Sequence, residues 1–581
     1  MPTSMSGDAT PPPGRPAGTL TPRRCPGRST YGPLAALAGY ALLSLALFGR
    51  GVLRNGGVVG SYGADQATFT WSLAWWPHAI AHGLHPLLTN LVYAPEGWNL
   101  AWTSAIPGPA LLAWPLTAVA GPVAVYDLLA LAAPALAAWC AYLLCRELGT
   151  RTPAALAGGL VFGFTTYESA ETLNHLNLAL VFTLPLAGLL VARYLHGALC
   201  DRRFTVLFAL CTLGVFATFL ETLFWATLGG AFALAAGLLL TRGPGRARLL
   251  RCLLLCSAGY VLALIVAAPY LWVALAHPDP LGISGRGYEL DLANLLVPTK
   301  VTALRPPSLH ALSGRLGGNN LTEQLGYVGP VLPALAGFAV WERRREPLAR
   351  VLALTIAAAI VCALGARLVV AGHRTRMPLP WALADEVPLA SHALTARALM
   401  LAWLALAVLA ALFLARGGWR RWLAFALVLV TLAPSLDGHL WHTRLDRPAL
   451  FQEGRWRAVV HPGENVFIIP FAFDGQAMLW QEEAGFGFRM TGGYVSAVFP
   501  DALWASPIVR AIYGAPLPPF PGAEVRTLVR ERQVDVVMLR AGRPGPWRAV
   551  LSAGLGRPRE AGGMLVWRVR GIWPRSLGSL R

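Results

Sequence analysis

Asp65, in the stretch SYGADQATF, is the residue whose type and position most invite chemistry. It sits just beyond the first apolar run, about residues 34–50, where a reactant confined to a membrane could meet it. A carboxylate there can take the proton from a hydroxyl, as a sugar transfer that inverts the anomeric centre requires of its base. The plain alternative is a helix cap for Gln66 to Ala79. Both roles can hold, because a cap fixes the side chain. The loop around it, Gly60 to Pro109, is crowded with Trp, His, Pro and Asn, and its only carboxylates are Asp65 and Glu96.

Other polar residues also sit at the ends of apolar runs. A charge at mid-span costs about 2.5–3.5 kcal/mol on insertion scales, so each needs a reason. His175 lies in ETLNHLNLAL between Asn174 and Asn177, suited either to a phosphate or sugar hydroxyl or to starting a helix. Glu221, in FATFLETLFWATL, either touches substrate or sits at a helix hairpin. Asp291 and Glu323 precede apolar stretches, where each could also cap. Arg286 and Arg397 are cations on the same expected face, with Arg397 just inside a span. His78, His82 and His85 include an i, i+4 pair, but no nearby carboxylate completes an obvious metal set. With Trp71, Trp75 and Trp76 they read instead as an interfacial amphipathic helix.

The elements that must position these residues are membrane helices. The chain has 581 residues, 55% hydrophobic and only 13% charged, with mean hydropathy +0.51. A soluble protein would carry roughly twice that charge fraction. Apolar runs recur at about 34–50, 106–120, 123–145, 154–166, 178–195, 204–220, 223–240, 252–275, 326–341, 349–366, 393–414 and 422–437. The run 106–120 holds Pro107, Pro109 and Pro115, so it is expected to lie along the outer surface rather than cross. That leaves about eleven transmembrane helices and an external loop 54–120.

The formal charge of +19 is almost all arginine, since Lys300 is the only lysine. The arginines gather in short connections, at 146–151, 202–203, 242–251, 343–350 and 416–421, the positive-inside pattern of cytoplasmic loops. No basic stripe with interleaved aromatics marks a nucleic-acid reader. The eight cysteines form no CxxC pair, which argues against a zinc site or a disulfide framework. Residues 1–33 read as a disordered basic cytoplasmic tail. Residues 438–581 change composition, with strand-like NVFIIPF and VDVVML between helical patterns, and predict a small extracytoplasmic α/β domain. Its GFGFRMTGGY piece could stack a sugar on Phe486, Phe488 or Tyr494, or fold back on its own aromatics.

Taken together, GADQATF, the PHAIAHGLHPLLTNLVYAPEGWNLAWTSAIPGPALLAWPLTAVAGP that follows it, LNHLNL, LTEQLGYVG and TARALML resemble the GT-C superfamily of polytopic glycosyltransferases over about residues 32–437. The resemblance is to its uncharacterised bacterial branch, and implies a polyprenyl-phosphate-linked sugar as donor and Asp65 as base. It implies an outer-face cavity lined by residues 70–120. His175, Arg286 and Arg397 are the candidates to stabilise the phosphate leaving group, with Glu96, Glu221, Asp291 and Glu323 as further substrate contacts. A divalent cation is left open, because no second acid stands beside Asp65. The expected setting is a bacterial plasma membrane, N-terminus cytoplasmic and C-terminus outside, with a glycan, lipid or protein acceptor. The rival readings are a lipid-linked sugar transporter or flippase, which predicts polar mid-spans and inverted repeats, and a non-catalytic membrane scaffold.

Overall fold

The computed structural model describes residues 31–61, 63–277, 285–318, 320–387, 390–496 and 498–569. Of the expected tail, residues 1–30 lie outside that set, while 31–33 already belong to the helix Tyr31–Phe48. Five described helices are long and apolar enough to cross a membrane: Pro122–Glu147, Leu176–Leu195, Leu220–Leu240, Pro244–Ala276 and Thr395–Leu414. Four more apolar helices, Gly32–Phe48, Thr152–Gly163, Val331–Glu342 and Pro347–Ala363, are shorter. Helix length alone therefore supports fewer crossings than the eleven counted from apolar runs. The run 106–120 breaks into Pro107–Leu112 and Trp114–Ala120, each too short to cross.

Burial separates the centre of the bundle from its rim. The helix Thr395–Leu414 is 89% buried within the protein, against 22% for Leu220–Leu240 and Pro244–Ala276, which turn apolar side chains outward. Small residues permit the closest helix approach. A Cβ on Gly159 would stand 2.6 Å from the Ala138 carbonyl, and one on Gly163 would stand 2.4 Å from that of Pro134. This four-residue glycine spacing lets Thr152–Gly163 lie directly on Pro122–Glu147.

The C-terminal residues build a five-stranded mixed sheet in the order Arg559–Ala561, Met564–Arg568, Val536–Arg540, Asn465–Ile469, Arg489–Met490. The last three strands are parallel. Every residue of Asn465–Ile469 is buried, which explains its unbroken apolar run.

This sheet does not stand apart. Its core is continuous with Val58, Val59 and the buried residues of 67–133. The opening loop extends the sheet edge: Met490 N–H donates to the Leu91 carbonyl at 2.8 Å, and Ala94 N–H donates to that of Met490 at 2.9 Å. The interfacial reading of Trp71, Trp75 and Trp76 is overturned by the same packing. All three are buried inside protein, and their indole N–H groups donate to Gln481 Oε1, the Pro86 carbonyl and the Ala105 carbonyl at 2.8–2.9 Å. The helix Ala64–Ala81 is a buried helix clamped by the C-terminal segment, with no lipid-facing stripe.

Candidate active site

The helix Ala64–Ala81 begins at Gly63, which holds the cap position. Gly63 N–H donates to Gln66 Oε1 at 2.8 Å, and Gln66 Nε2 donates to the Leu173 carbonyl. Gln66 therefore fixes the helix start and docks it on the segment that carries His175. Asp65 sits in the first turn, with its carboxylate one-third exposed and Oδ2 3.6 Å from His175 Nε2. That separation suits an ion pair and is too long for a direct hydrogen bond.

His175 is the link to a deeper chain of charges. Its Nδ1 lies 2.7 Å from Glu171 Oε2 and 3.9 Å from Glu323 Oε1. Glu323 receives a two-pronged contact from Arg397, at 2.5 Å from Nη2 and 3.3 Å from Nε. Arg397 Nη1 donates to Glu221 Oε2, and Glu221 Oε1 accepts the Leu394 N–H at 2.7 Å. Such a fork fixes geometry as well as charge. The side chains come from five separate stretches of chain, and Thr395–Leu414, at the centre of the bundle, supplies the arginine.

Burial works against a charged His175, but Glu171 and then Asp65 outweigh it and push the imidazole up to about 10. Burial raises Glu171, opposed by His175, to about 7. Glu168 is fully buried with neither carboxyl oxygen partnered. Burial and the nearby Glu171 hold it well above the usual carboxylate range. A histidine raised in the fold contributes stability that is complete below its unfolded value of 6.5 and is lost as pH rises through about 10. Melting temperature is thus expected to fall between about pH 6.5 and 10. His175→Gln should remove that component. Identical pH profiles for the two proteins would show that His175 is not charged in the fold.

The structure brings together Asp65, His175, Glu323, Arg397 and Glu221. It puts three of the other sequence candidates to different use. Asp291 accepts the N–H groups of Ala293, Gly317, Ala371 and Gly372 at 2.6–3.0 Å, pinning three stretches of chain together. Asp291→Ala should lower stability by roughly 2–4 kcal/mol, since four donors lose one acceptor group, read as a fall in melting temperature. Glu96, half exposed, pairs with the buried Arg532 and ties the opening loop to the C-terminal sheet. Arg286, on the surface, stands 3.4 Å from Asp385. Arg397 is itself enclosed by Glu323 and Glu221, and its guanidinium holds the two acids together.

Two contributors escaped the sequence reading. Glu171 precedes His175 by four residues, the spacing of helical neighbours, and that signal was available. Tyr494 was visible only as a possible sugar-stacking ring, not as a neighbour of Asp65. Thr68, one turn beyond Asp65, donates its hydroxyl to the Tyr494 carbonyl. Burial raises the Tyr494 hydroxyl well above its ordinary value, with the Asp65 carboxylate adding to the effect. Phe488 and Tyr494 are buried and Phe486 packs on Trp71 and His78, so the rings of the glycine-rich loop pack against other segments, Phe486 against the helix Ala64–Ala81.

The residues do not make a ligand set for the divalent cation left open by the sequence. Both ring nitrogens of His175 face carboxylates, so the imidazolium has no lone pair to offer. Among the described residues no three His, Cys, Asp or Glu side chains converge as metal ligands.

Residues 36–434 match a family described as "Domain of unknown function (DUF6311)". No curated protein matches the sequence. Three solved structures are similar in fold. The oligosaccharyltransferase AglB from Archaeoglobus fulgidus, in complex with an inhibitory peptide and a dolichol-phosphate, is 13% identical with TM-score 0.52, covering 94% of this chain and 75% of that one. The arabinofuranosyltransferase AftD from Mycobacteria is 15% identical with TM-score 0.59, covering 93% of this chain and 40% of that one. ArnT from Cupriavidus metallidurans, bound to undecaprenyl phosphate, is 11% identical with TM-score 0.50, covering 94% and 100%. The fold is that of the GT-C polytopic membrane glycosyltransferases.

Proposed function

The chain belongs to the DUF6311 family, and we propose that it is a glycosyltransferase moving a sugar from a polyprenyl-phosphate carrier to an acceptor hydroxyl at the outer face of a bacterial plasma membrane. The observation that carries this reading is Asp65: a partly exposed carboxylate opposite His175, at the mouth of a buried charge network. The likeness in fold to proteins solved with dolichol-phosphate and undecaprenyl phosphate supports the donor class.

Asp65 takes the proton of the acceptor hydroxyl as its oxygen bonds to the anomeric carbon. The bond from that carbon to the phosphate oxygen breaks, and the polyprenyl phosphate leaves with the electron pair. A single displacement of this kind inverts the centre. His175, charged and only slightly exposed, faces the Asp65 carboxylate and offers a cation at the mouth. Arg397 holds Glu221 and Glu323 in place behind it. An apolar groove lined by Phe182, Thr183, Leu186, Leu190, Leu207 and Leu210 begins one short helix after His175 and suits the lipid tail. The eleven apolar runs other than 106–120 cross the bilayer, with the N-terminus inside and the C-terminal sheet outside.

The test uses the full chain in proteoliposomes with a labelled undecaprenyl-phosphate sugar and a membrane-extract acceptor. Label is expected in the acceptor with the wild type and not with Asp65→Asn. Movement of the lipid between leaflets without transfer would instead establish a translocase.

A further inference from the structure

We propose that the acceptor is a carbohydrate, held on an aromatic shelf that the C-terminal segment builds beside Asp65. The inference rests on the glycosyltransferase reading and names its second substrate.

The shelf begins at Tyr494, whose carbonyl accepts the Thr68 hydroxyl one helical turn beyond Asp65. Phe473 meets the Tyr494 ring edge-on at 4.9 Å, and Tyr513 packs edge-on to Phe473 at 6.2 Å. Trp504 follows, 5.7 Å from Tyr513 and stacked on Phe499 at 5.9 Å. The ring contacts therefore run without a break from Tyr494, which one hydrogen bond ties to the base's own helix, to Trp504. Tyr494 and Phe499 are buried, whereas Phe473 is 53% and Trp504 43% exposed. Phe473 and Trp504 thus leave open ring surface on a packed aromatic support.

The position of these rings narrows what covers them. The acceptor must present a hydroxyl to Asp65 and, from the same molecule, an apolar face to Phe473 and Trp504. A sugar ring does both, since its C–H face lies flat on an aromatic ring while its hydroxyls project from the edge. Phe473 and Trp504 form two such platforms bridged by Tyr513, which suits an acceptor longer than a single sugar. The shelf lies outside the active site's charge network, so its loss leaves Asp65, His175 and Arg397 intact.

The experiment compares full-length wild type in nanodiscs with the Phe473→Ala/Trp504→Ala double variant on a glycan array. Wild type is expected to be retained by a subset of glycans and the double variant at least tenfold less, with undecaprenyl phosphate binding by native mass spectrometry unchanged. Phe473→Tyr/Trp504→Tyr should keep the binding, and so should Asp65→Asn. Equal retention of wild type and the alanine variant, or no retention of wild type above empty nanodiscs, overturns the proposal. So does quenching by brominated lipids of the fluorescence that Trp504→Phe removes, because the shelf would then lie in the bilayer. A failed shelf with transfer still dependent on Asp65 leaves the enzyme reading standing. Glycan retention without Asp65-dependent transfer has the opposite meaning.

Discussion

Asp65→Asn is expected to lower sugar transfer by about 10²–10⁴-fold, the range for losing a positioned general base. Asparagine has nearly the same shape and cannot accept the acceptor's proton at neutral pH. The helix start should survive, because Gln66 holds the Gly63 N–H and the Leu173 carbonyl and Asp65 does neither. Asp65→Asn should therefore melt within a few degrees of wild type and still bind undecaprenyl phosphate. Asp65→Ala would be a poorer test, since it also opens space beside His175. Near-normal turnover by the asparagine variant, in an assay of labelled lipid-linked sugar, would remove Asp65 from the mechanism.

Arg397→Met is expected to have the largest effect on stability, about 3–5 kcal/mol, the cost of breaking a buried ion pair from one side. Arg397 is the shared partner of Glu221 and Glu323, both largely enclosed; without it Glu221 is left as a buried charge with no cation against it and Glu323 with only His175, 3.9 Å away. Arg397→Lys should recover only part of the loss, because an ammonium cannot reproduce the two-pronged contact to Glu323. The triple variant Glu221→Gln/Glu323→Gln/Arg397→Met should be more stable than Arg397→Met alone, since removing every charge removes the desolvation cost. Thermal unfolding in detergent reads all four proteins. If Arg397→Met melts like wild type, the charge network does not hold the bundle centre together.

These expectations show where sequence reasoning reached and where it stopped. His175, Glu221, Glu323 and Arg397 were visible because a charge at the end of an apolar run must be explained. Their order in the network was not. A sequence gives position along a span but not which neighbour faces it, so Arg397 read as a phosphate ligand when it is enclosed by two glutamates. Asp291 carried the same signal, and four backbone amides claim it.

The tryptophans of the opening loop illustrate a second limit. Trp, His and apolar residues fill every face of Ala64–Ala81, a pattern shared by interfacial and fully buried helices. What decides between them is the cover from Gln481 and Phe486, four hundred residues away. The composition shift at about residue 438 read as a domain border for the same reason. It marks the change from apolar helices to a mixed sheet, yet one core joins that sheet to the opening loop and its helices.

The central claim is that a lipid-phosphate sugar meets Asp65 at the outer mouth of this bundle. A cryo-electron microscopy structure of the full chain in nanodiscs with undecaprenyl phosphate tests it most directly. The account predicts phosphate density at the His175 side of the Asp65 mouth, with the tail leaving along the groove of Phe182, Leu186 and Leu210. Phosphate bound on the cytoplasmic side, or at the outer face remote from Asp65, would contradict it.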